Sequence, residues 1–461
     1  RSGTIDWIGH PILEDCKPRL YIHGITFAQY HPCNPQNARC NEYAALSNRQ
    51  LCPKLKSRSW DSEYALVEQN FDSFFPNWVK RHVTFKEWNN RDNFTGTRKK
   101  NHRDAKESFY QLPFVPKDQY VTAFVKTEVL RSCTDPRNII QFSDRNNVQH
   151  GPPLYAIGKT LALDCWNKHH WIFYTSGAHA EDISDWIHNQ CIRLNLDFKT
   201  CYKVISDQKR QDGHVSVEAL MFELKLYVLL GLPPEICVTL ENETYTVGFT
   251  KSGIFFCRPG GRNTGAPNTS EGNSKMNAIM NLVMLHQQNP ITNWNDPPIA
   301  IMVQGDDIFI IGLEDYLENI SATKSIDLAA EMGFLVKFYD ITRNLDDTDY
   351  CSRYFWPTYD HPLGYVLGPK IGKVLNKIGY SRTPTDCPYA RNRGIALSLY
   401  KDLQHVPFLR KWVNHILLIT EGYEAEELPY THSIHSRSVS KPNAETWEFL
   451  YNRFGLTELD E

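Results

Sequence analysis

The sequence predicts an α+β fold in which an antiparallel sheet is combined with helices and followed by a mainly helical part. The runs IAIMVQ and IFIIGL flank the acidic segment GDD at residues 305–307, which is the pattern of a β-hairpin. The run YKVISD predicts a strand ending at Asp207, and the next stretch, VSVEALMFELKLYVLLGL, is apolar at helical spacing. From about Lys370 the apolar residues again recur mainly at helical spacing.

Further elements follow from the same patterns. The runs VTAFVKTEVL and RNIIQF, separated by the turn Asp135-Pro136, predict a hairpin that carries basic side chains. The run YTVGFTKSGIFFC predicts another hairpin, and a long helix is expected after Asn268. Residues 1 to about 120 show little periodicity, so we expect irregular structure there. The basic run RKKNHR, residues 98–103, is typical of a solvated loop, with a template contact as the alternative.

Length and composition set broad limits. With 461 residues, 41% of them apolar, the chain is long enough for one large enzyme or for two or three domains, and disorder is not expected. The formal net charge is only -3, so a polyanion would have to be held by a local basic lining. No stretch approaches the ~18 consecutive apolar residues of a membrane span. We expect an excised or processed piece whose membrane anchor, if there is one, lies outside it.

The twelve cysteines form no compact framework, which favours free thiols in a reduced compartment. His31, Cys33, Cys40 and Cys52 are residue types that bind zinc, but their spacing is irregular and contains no CxxC pair. Zinc therefore stays an open alternative to a set of unrelated side chains.

Two acidic positions predict metal-dependent chemistry. Asp207 ends one predicted strand and Asp306 lies at the tip of a predicted hairpin, so pairing of the two strands would bring both carboxylates to one edge of a sheet. Carboxylates at such an edge suit a pair of Mg²⁺ ions, with Asp307 as a supporting ligand. A solvated surface turn is the alternative for GDD, but long apolar flanks are unusual for such a turn.

Two more patterns accompany these carboxylates. Asp212 follows Asp207 after four residues and is expected to face the site, where it can accept a hydrogen bond from a sugar hydroxyl. The segment RNTGAPNTSEGN, residues 262–273, places Thr264 and Gly265 in a glycine loop and Thr269 and Asn273 at a helix start. Such a segment can contact both ribose and template, and a plain capped helix after a turn is the alternative.

In this order, the motifs resemble those of the RNA-dependent RNA polymerases of positive-strand RNA viruses, particularly the tombusvirus-like and nodavirus-like branch. SDQKRQD is similar to the first palm motif, RNTGAPNTSEGN to the form RxSGxxNTSxGN, and GDD to the third. The main departure is Thr264 in place of Ser, which keeps the hydroxyl. The resemblance covers about residues 120–360.

The resemblance implies a right-hand polymerase: fingers over residues 1–200, including a basic hairpin at 120–142, a palm over 201–360 with an inserted finger segment at about 235–260, and a helical thumb over 361–461. It implies RNA-directed RNA synthesis from NTPs, with two Mg²⁺ ions, or Mn²⁺ as a substitute, on Asp207, Asp306 and Asp307. Asp212 would bind the ribose 2′-hydroxyl. Thr264, Gly265, Thr269 and Asn273 would check ribose and template pairing.

Flanking motifs imply further roles. FVKTEVLRSCTDPRNI is similar to the basic fingers motif, which assigns Lys126, Arg131 and Arg137 to the incoming triphosphate, with Glu128 as their positioning partner. The alternative is a surface ion pair on a strand. The general acid expected after GDD is Lys337, with Lys324 as the alternative and a solvated lysine as the non-catalytic interpretation.

YCSRYF resembles a primer-grip hairpin, which assigns Cys351 and Ser352 to a turn against the product strand. The implied partners are template and product RNA, NTPs and other viral replication proteins, in a replication complex of the host cytoplasm. Because Asp212 and Asn273 offer hydrogen-bonding groups to a 2′-hydroxyl, ribonucleotides are predicted rather than the substrates of a reverse transcriptase. An inactive RNA-binding subunit and a metal-dependent phosphatase or nuclease also stay open as functions.

Overall fold

The fold is taken from a computed structural model that describes residues 4–6, 21–24, 35, 37–51, 55–129, 135–381, 383–428 and 434–461. The strands in these ranges are β1 (Thr4–Asp6), β2 (Tyr21–Ile22), β3 (Val121–Val125), β4 (Asn138–Phe142), β5 (Ile172–Tyr174), β6 (Tyr202–Gln208), β7 (Tyr245–Thr250), β8 (Phe255–Pro259), β9 (Ile299–Gln304), β10 (Asp307–Gly312), β11 (Val336–Thr342), β12 (Arg353–Pro357), β13 (Tyr365–Pro369) and β14 (Tyr380–Ser381).

The helices of the same ranges lie between and after these strands. They are α1 (Arg39–Ala45), α2 (Asp61–Gln69), α3 (Phe71–Phe74), α4 (Phe85–Asn89), α5 (Gly96–Ser108), α6 (Asp144–Thr160), α7 (Ala180–Leu194), α8 (Gln211–His214), α9 (Val217–Leu229), α10 (Pro234–Glu241), α11 (Thr269–Gln288), α12 (Glu314–Leu317), α13 (Ala322–Glu331), α14 (Ile371–Leu375), α15 (Pro388–Leu403), α16 (Leu409–Ile419) and α17 (Ala444–Phe454). The chain is therefore α+β, as its sequence predicts.

A central sheet with the strand order β11-β6-β10-β9-β5 organises the fold. The predicted GDD hairpin is confirmed, since β9 and β10 pair antiparallel with Asp307 opposite Gln304. The prediction of a wholly antiparallel sheet is wrong at one edge, because β5 runs parallel to β9. This three-residue strand is too short to give a clear period-2 signal in the sequence.

The two faces of the central sheet are covered differently. Side chains alternate between the faces along each strand. On one face, Ile308 and Ile310 belong to a large core with α9 and α11. On the other face, Phe309 and Ile311 pack in a separate core with α7, β12 and β13. The central strands are apolar throughout because both faces are buried.

A second sheet has the strand order β1-β8-β7-β3-β4. It joins the remaining two predicted hairpins, since β3 pairs antiparallel with β4 and β7 pairs antiparallel with β8. The two hairpins meet through a parallel pairing of β3 with β7, in which Val121 lies opposite Gly248. A side chain at Gly248 would collide with the Val121 carbonyl oxygen, at 2.3 Å from the Cβ position, so glycine permits this close pairing.

The C-terminal part is mainly helical, as predicted. Helices α15, α16 and α17 pack on the β12–β13 hairpin around a core that includes Trp356, Leu403, Val413 and Phe449. Asp402 at the end of α15 accepts a hydrogen bond from Arg353 of β12 at 3.0 Å, which ties the helices to the hairpin.

The expectation of irregular structure before residue 120 is wrong for much of that region, which holds helices α1 to α5. The basic run 98–103 lies within α5 instead of a loop, because Thr95 caps the helix by accepting from the backbone N–H of Arg98. Its polar residues are not all solvated, since His102 is buried against Trp88 and Phe94. Short helices with mixed polar and aromatic faces give a weak periodic signal.

No disulfide joins the cysteines of the described ranges. Of the four residues considered for zinc, His31, Cys33 and Cys52 lie outside the described residues, and Cys40 is exposed on α1. Among the residues that the structure describes, no helix combines the length and the apolar character needed to cross a bilayer.

Candidate active site

The GDD segment forms a two-residue turn at the end of the β9–β10 hairpin. Gly305 has a left-handed φ of 63°, whereas the φ of Asp306 is not positive. This combination is that of a type II′ turn with glycine first. The turn is held by α11, because Ser274 Oγ accepts from the Gly305 N–H at 2.8 Å and Asn277 Nδ2 donates to the Gly305 oxygen at 3.0 Å.

Strand pairing brings Asp207 beside this turn. Ile308 of β10 lies opposite Ser206 of β6, and continuing the register by one residue sets Asp307 against Asp207. Residues directly opposite in antiparallel strands have Cβ atoms ~5 Å apart and share a face of the sheet. Asp207 therefore lies at the same edge of the sheet as the GDD turn that carries Asp306, although a long stretch of sequence separates them.

The charges of these carboxylates act on one another. Asp306 is exposed, but desolvation by the surrounding protein raises its pKa, as do the charges of Asp212 and Asp207. Burial raises the pKa of Asp307 to about 7, with further contributions from Asp306, Asp349 and Asp207. This end of the sheet therefore holds more negative charge than its own environment stabilises, which favours a bound cation.

Lys337 contacts the cluster directly. Its Nζ lies 2.5 Å from Asp207 Oδ2, and both side chains are partly exposed. The register between β11 and β6 shifts between Val336 and Phe338, so Lys337 stands at a β-bulge, a device that redirects side chains near active sites. The alternative lysine, Lys324, is exposed in the first turn of α13.

Asp212 and Asn273 also meet, as their predicted shared role requires. Asn273 Nδ2 donates to Asp212 Oδ1 at 2.8 Å. Burial raises the pKa of Asp212, and the hydrogen bond from Asn273 and the charges of Arg262, Arg258 and Arg137 act against that rise. The carboxylate of Asp212 is thus held by a buried amide, and its charge also raises the pKa of Asp306.

The glycine loop before α11 is tethered to the second sheet. Thr264 Oγ1 accepts from the Ile140 N–H at 3.0 Å, and the Gly265 N–H donates to the Ile140 oxygen at 2.9 Å. The Thr269 hydroxyl contacts the carbonyl oxygens of Asn263 and Ala266 at 2.8 and 2.9 Å. Both predicted substrate-binding hydroxyls therefore already have partners within the protein.

The basic hairpin contributes cations near the cluster. Glu128 Oε2 lies 3.4 Å from Lys126 Nζ and 3.6 Å from Arg137 Nη1, so it holds the two cations side by side. The charge of Arg137 partly opposes the rise in the pKa of both Asp212 and Asp306, which sets it within electrostatic reach of the carboxylates. Arg131 lies outside the described residues.

Cys351 and Ser352 form the tight turn that their motif predicts. Tyr350 and Arg353 exchange backbone hydrogen bonds of 3.0 and 2.9 Å across it, and both central residues have positive φ, 49° and 63°. Two non-glycine residues in this conformation carry backbone strain. The Cys351 side chain also hydrogen-bonds to Asp307, so this turn lies against the carboxylate cluster.

Some residues that support the site were missed in the sequence. Asn277 Oδ1 accepts a hydrogen bond from Gln208 Nε2 at 2.8 Å, and Asn277 Nδ2 donates to the Gly305 oxygen. The side-chain amide of Asn277 therefore joins the end of β6 to the GDD turn. Asn277, Gln208 and Ser274 are each at most 2% exposed. A stripe of small polar residues at helical spacing along α11 (Ser270, Ser274, Asn277, Asn281) is the signal that marks them.

The donor set fits Mg²⁺ in chemical type, since it consists of carboxylate oxygens. In the described part of the chain, no three His, Cys, Asp or Glu side chains are preassembled to hold a metal ion. Mg²⁺ in phosphoryl-transfer sites is commonly held by one or two carboxylates and completed by water and substrate phosphates. A cluster that depends on substrate for its remaining ligands agrees with this arrangement.

The chain is similar to known viral proteins. It is 27% identical over 300 residues to an RNA-directed RNA polymerase of Pothos latent virus, covering 62% of this chain and 38% of that protein. It is 26% identical over 396 residues to that of Tobacco necrosis virus, covering 79% and 51%, and 24% identical over 329 residues to that of Atlantic halibut nervous necrosis virus, covering 64% and 31%. The chain thus matches about a third to a half of the length of these relatives.

The family match is wider than the motifs alone indicate. A family model described as viral RNA dependent RNA polymerase matches residues 8–392, which extends the resemblance beyond residues 120–360 on both sides. The relatives confirm the tombusvirus-like and nodavirus-like resemblance. With the motifs in order and their carboxylates in one cluster, the conclusion is that this chain belongs to the viral RNA dependent RNA polymerase family.

Proposed function

We propose that this chain is the polymerase part of a viral replicase and catalyses RNA-directed RNA synthesis from NTPs. The main support is the pairing of β6 with β10, which sets Asp207 against the GDD turn. Burial and neighbouring charge raise the pKa of Asp306 and Asp307 in this cluster. A surface turn has no need of such a cluster, whereas nucleotidyl transfer requires one.

Asp207, Asp306 and Asp307 would hold the divalent ions. Two Mg²⁺ ions, or Mn²⁺ in their place, would lower the pKa of the attacking 3′-hydroxyl and stabilise charge on the transferred phosphoryl group. Lys337 stands at the edge of the cluster, where its ammonium group can donate a proton to the pyrophosphate that leaves. Displacement of Lys337 from Asp207 would accompany metal entry, since both cations use the same carboxylate.

The remaining predicted residues would bind the substrates. Lys126 and Arg137, with Arg131 from the same hairpin, would neutralise the triphosphate, and Glu128 would keep the first two in place. Asp212 would accept a hydrogen bond from the ribose 2′-hydroxyl. Asn273 holds the carboxylate of Asp212 for that purpose.

The polar groups of Thr264, Gly265 and Thr269 are already hydrogen-bonded within the protein. These residues would therefore contribute by giving the loop the shape that fits the template. Cys351 and Ser352 would support the product strand from the tight turn beside Asp307.

The fold supports a division into fingers over residues 1–200, palm over 201–360 and thumb over 361–461. The central sheet would be the palm sheet, and its edge strand β5 would be contributed by the part of the chain that precedes residue 201. The segment inserted in the palm at about 235–260 contains β7, which pairs with β3 of the basic hairpin. This is the association expected of a finger insertion. Template and product RNA, NTPs and other viral replication proteins would be the partners, in a replication complex of the host cytoplasm.

Extension of a primed and an unprimed RNA template with labelled NTPs and Mg²⁺ tests the proposal. The parent chain should extend RNA, and Asp207→Ala and Asp306→Ala should each reduce incorporation by at least ~10³-fold while RNA binding is kept. A matched control is Asp296→Asn, which changes a carboxylate paired with Arg193 at the far end of β9 and should keep full activity.

Three contrary results would each indicate a different function. RNA binding with no incorporation by the parent would indicate an inactive replication subunit. A preference for dNTPs on an RNA template would indicate a reverse transcriptase. Release of inorganic phosphate or of RNA fragments without extension would indicate a phosphatase or nuclease.

A further inference from the structure

A buried polar network stands directly behind the pair of Asp212 and Asn273. Asn273 Oδ1 accepts from Arg262 Nε at 3.0 Å, and Arg262 Nη1 lies 2.9 Å from Glu223 Oε2. The Tyr227 hydroxyl contacts two carboxylates, that of Glu223, whose Oε1 lies 3.1 Å away, and that of Glu271. Arg262 is 1% exposed, Glu223 3% and Asn273 5%. Through the side-chain amide of Asn273, this network reaches the carboxylate of Asp212 at the expected sugar site.

The amide of Asn273 has two chemically different ends, and Arg262 decides which end faces Asp212. A guanidinium group only donates hydrogen bonds, so the amide oxygen must face it. The amide NH₂ is then turned to Asp212 Oδ1, at 2.8 Å. In the opposite orientation, two oxygens would face each other across this distance, and the carboxylate of Asp212 would have to move or take up a proton.

Two more features of the chain preserve this arrangement. The backbone N–H of Arg262 donates to the backbone carbonyl oxygen of Asp212 at 2.7 Å, so the same residue contacts both members of the pair. A Cβ at Gly272 would lie 2.0 Å from Glu223 Oε1 and 2.9 Å from Arg262 Nη2. Glycine at that helical position leaves room for the ion pair.

A packing role alone does not require this ion pair. Desolvation of two charges offsets most of their attraction, and well-packed apolar residues often stabilise a core equally well. The donor-only character of arginine is what an apolar residue cannot replace. This property points to the orientation of a neighbouring acceptor as the purpose of the pair.

We propose that Arg262, held by Glu223, is a positioning residue for sugar selection, which acts by fixing the amide orientation of Asn273 and hence the carboxylate of Asp212. The inference rests on the proposed function, because it needs Asp212 to accept a bond from the 2′-hydroxyl. It adds that discrimination between NTPs and 2′-dNTPs depends on two residues that contact neither.

The test is the ratio of kcat/KM for NTP to kcat/KM for the matching 2′-dNTP, measured for the parent and for variants. Arg262→Gln should lower this ratio about tenfold, the effect of one hydrogen bond to a charged group. Glu223→Gln keeps the shape of the partner and should lower the ratio less, in the same direction. Gly272→Ala should lower it by displacing the ion pair. Arg193→Gln is the control, because this arginine binds Asp296 at the far end of β9 and should leave the ratio unchanged.

A double-mutant cycle gives the sharpest readout. Arg262→Gln should have no further effect on the ratio in an Asn273→Ala background if Arg262 acts through that amide. Thermal unfolding of every variant separates a loss of folded protein from a change of preference. Glu223→Gln, the near-isosteric change, carries the test if Arg262→Gln does not fold.

The ways in which the test can fail are distinguishable. No extension by the parent would overturn the proposed function and this inference together. An unchanged ratio in Asp212→Ala would overturn the sugar role on which the inference depends. A lowered ratio in Asp212→Ala, with an unchanged ratio in the folded Arg262 and Glu223 variants, would overturn this inference alone and leave the polymerase proposal standing.

Discussion

At the scale of single residues, the candidate site depends on polar side chains that bind neighbouring segments of the chain to one another. Asn277 joins Gln208, the residue after Asp207, to the carbonyl oxygen of Gly305, the residue before Asp306. Lys337 stands at a bulge and pairs with Asp207. These contacts fix where the carboxylates lie and how much of their charge is compensated before any substrate enters.

Replacing Asn277 tests whether its amide aligns the two acidic segments. Asn277→Leu keeps a similar volume but leaves the Gly305 oxygen and the Gln208 amide without this partner, at a cost of ~1–3 kcal/mol for each buried group. We expect a lower melting temperature and at least ~10-fold lower kcat, with the apparent Mg²⁺ affinity weakened. Gln288→Leu, an amide on the same helix but far from the turn, should keep kcat and Mg²⁺ affinity, and equal losses in both variants would contradict the assigned role.

Replacing Lys337 separates its two expected roles. Lys337→Leu removes the cation that competes with metal for Asp207, so calorimetric titration should show Mg²⁺ binding about two- to fivefold tighter, the size of an exposed ion pair. Loss of a general acid should at the same time lower the rate of nucleotide incorporation by roughly 10²- to 10⁴-fold. Lys324→Leu is the matched control, and a larger rate loss there would move the catalytic role to that lysine.

At the scale of elements, the site is built where three segments meet. The end of β6, the β9–β10 turn and the start of α11 are joined by hydrogen bonds, and the loop before α11 is bound to β4 through Thr264 and Gly265. The basic hairpin is thereby linked to the segment that carries Asn273.

Gly265 tests that link. A Cβ at this position would lie 2.6 Å from the Ile140 oxygen, a backbone atom that can move only if the strand moves. Gly265→Ala should therefore lower the free energy of unfolding by ~1–3 kcal/mol and raise the KM for NTP. Gly96→Ala, in open space at the start of α5, should be neutral or slightly stabilising. Equal stability of the two variants would show that the contact of Gly265 with β4 relaxes freely.

At the scale of the whole molecule, separate cores are connected by a few buried charged groups. The best defined is Asp402, which accepts hydrogen bonds from Arg353 Nη2 at 3.0 Å, His435 Nδ1 at 2.9 Å and the Ser436 N–H at 2.5 Å. Burial opposes the ionisation of Asp402, but the bond from His435 and the charge and bond of Arg353 outweigh it and lower its pKa to about 2.

The pKa of Asp402 predicts how stability depends on pH. Because the folded-state pKa lies below the ordinary value of 3.8, ionised Asp402 contributes stability that is fully present above pH ~4 and is lost as the pH falls toward about 2. Asp402→Asn should lower the free energy of unfolding by about 2 kcal/mol at pH 7. Chemical denaturation at several pH values should show this difference shrinking in acid. Asp61→Asn, which removes an exposed partner of Lys225, should change little, and a pH-independent difference for Asp402→Asn would contradict the assignment.

Much of the candidate site can be predicted from local sequence because its chemistry is carried by short motifs. The GDD hairpin, the strand ending at Asp207 and the helix after Asn268 each have a period or a turn residue that a few neighbours determine. The helices before residue 120 were missed because their faces are mixed and their stability comes from packing, as for His102 between two aromatic rings.

By itself, the sequence determined the α+β class, the family resemblance and the residue types at the acidic cluster, since these depend on residues close together in the chain. Only the tertiary structure decided the register that sets Asp207 against Asp307, the parallel edge strand β5, and the contacts of Lys337, Asn277 and Arg262. Their partners lie 11 to 130 residues away along the chain. A hydrogen bond or ion pair at such separation exists only after the backbone has folded, so no local pattern can specify it.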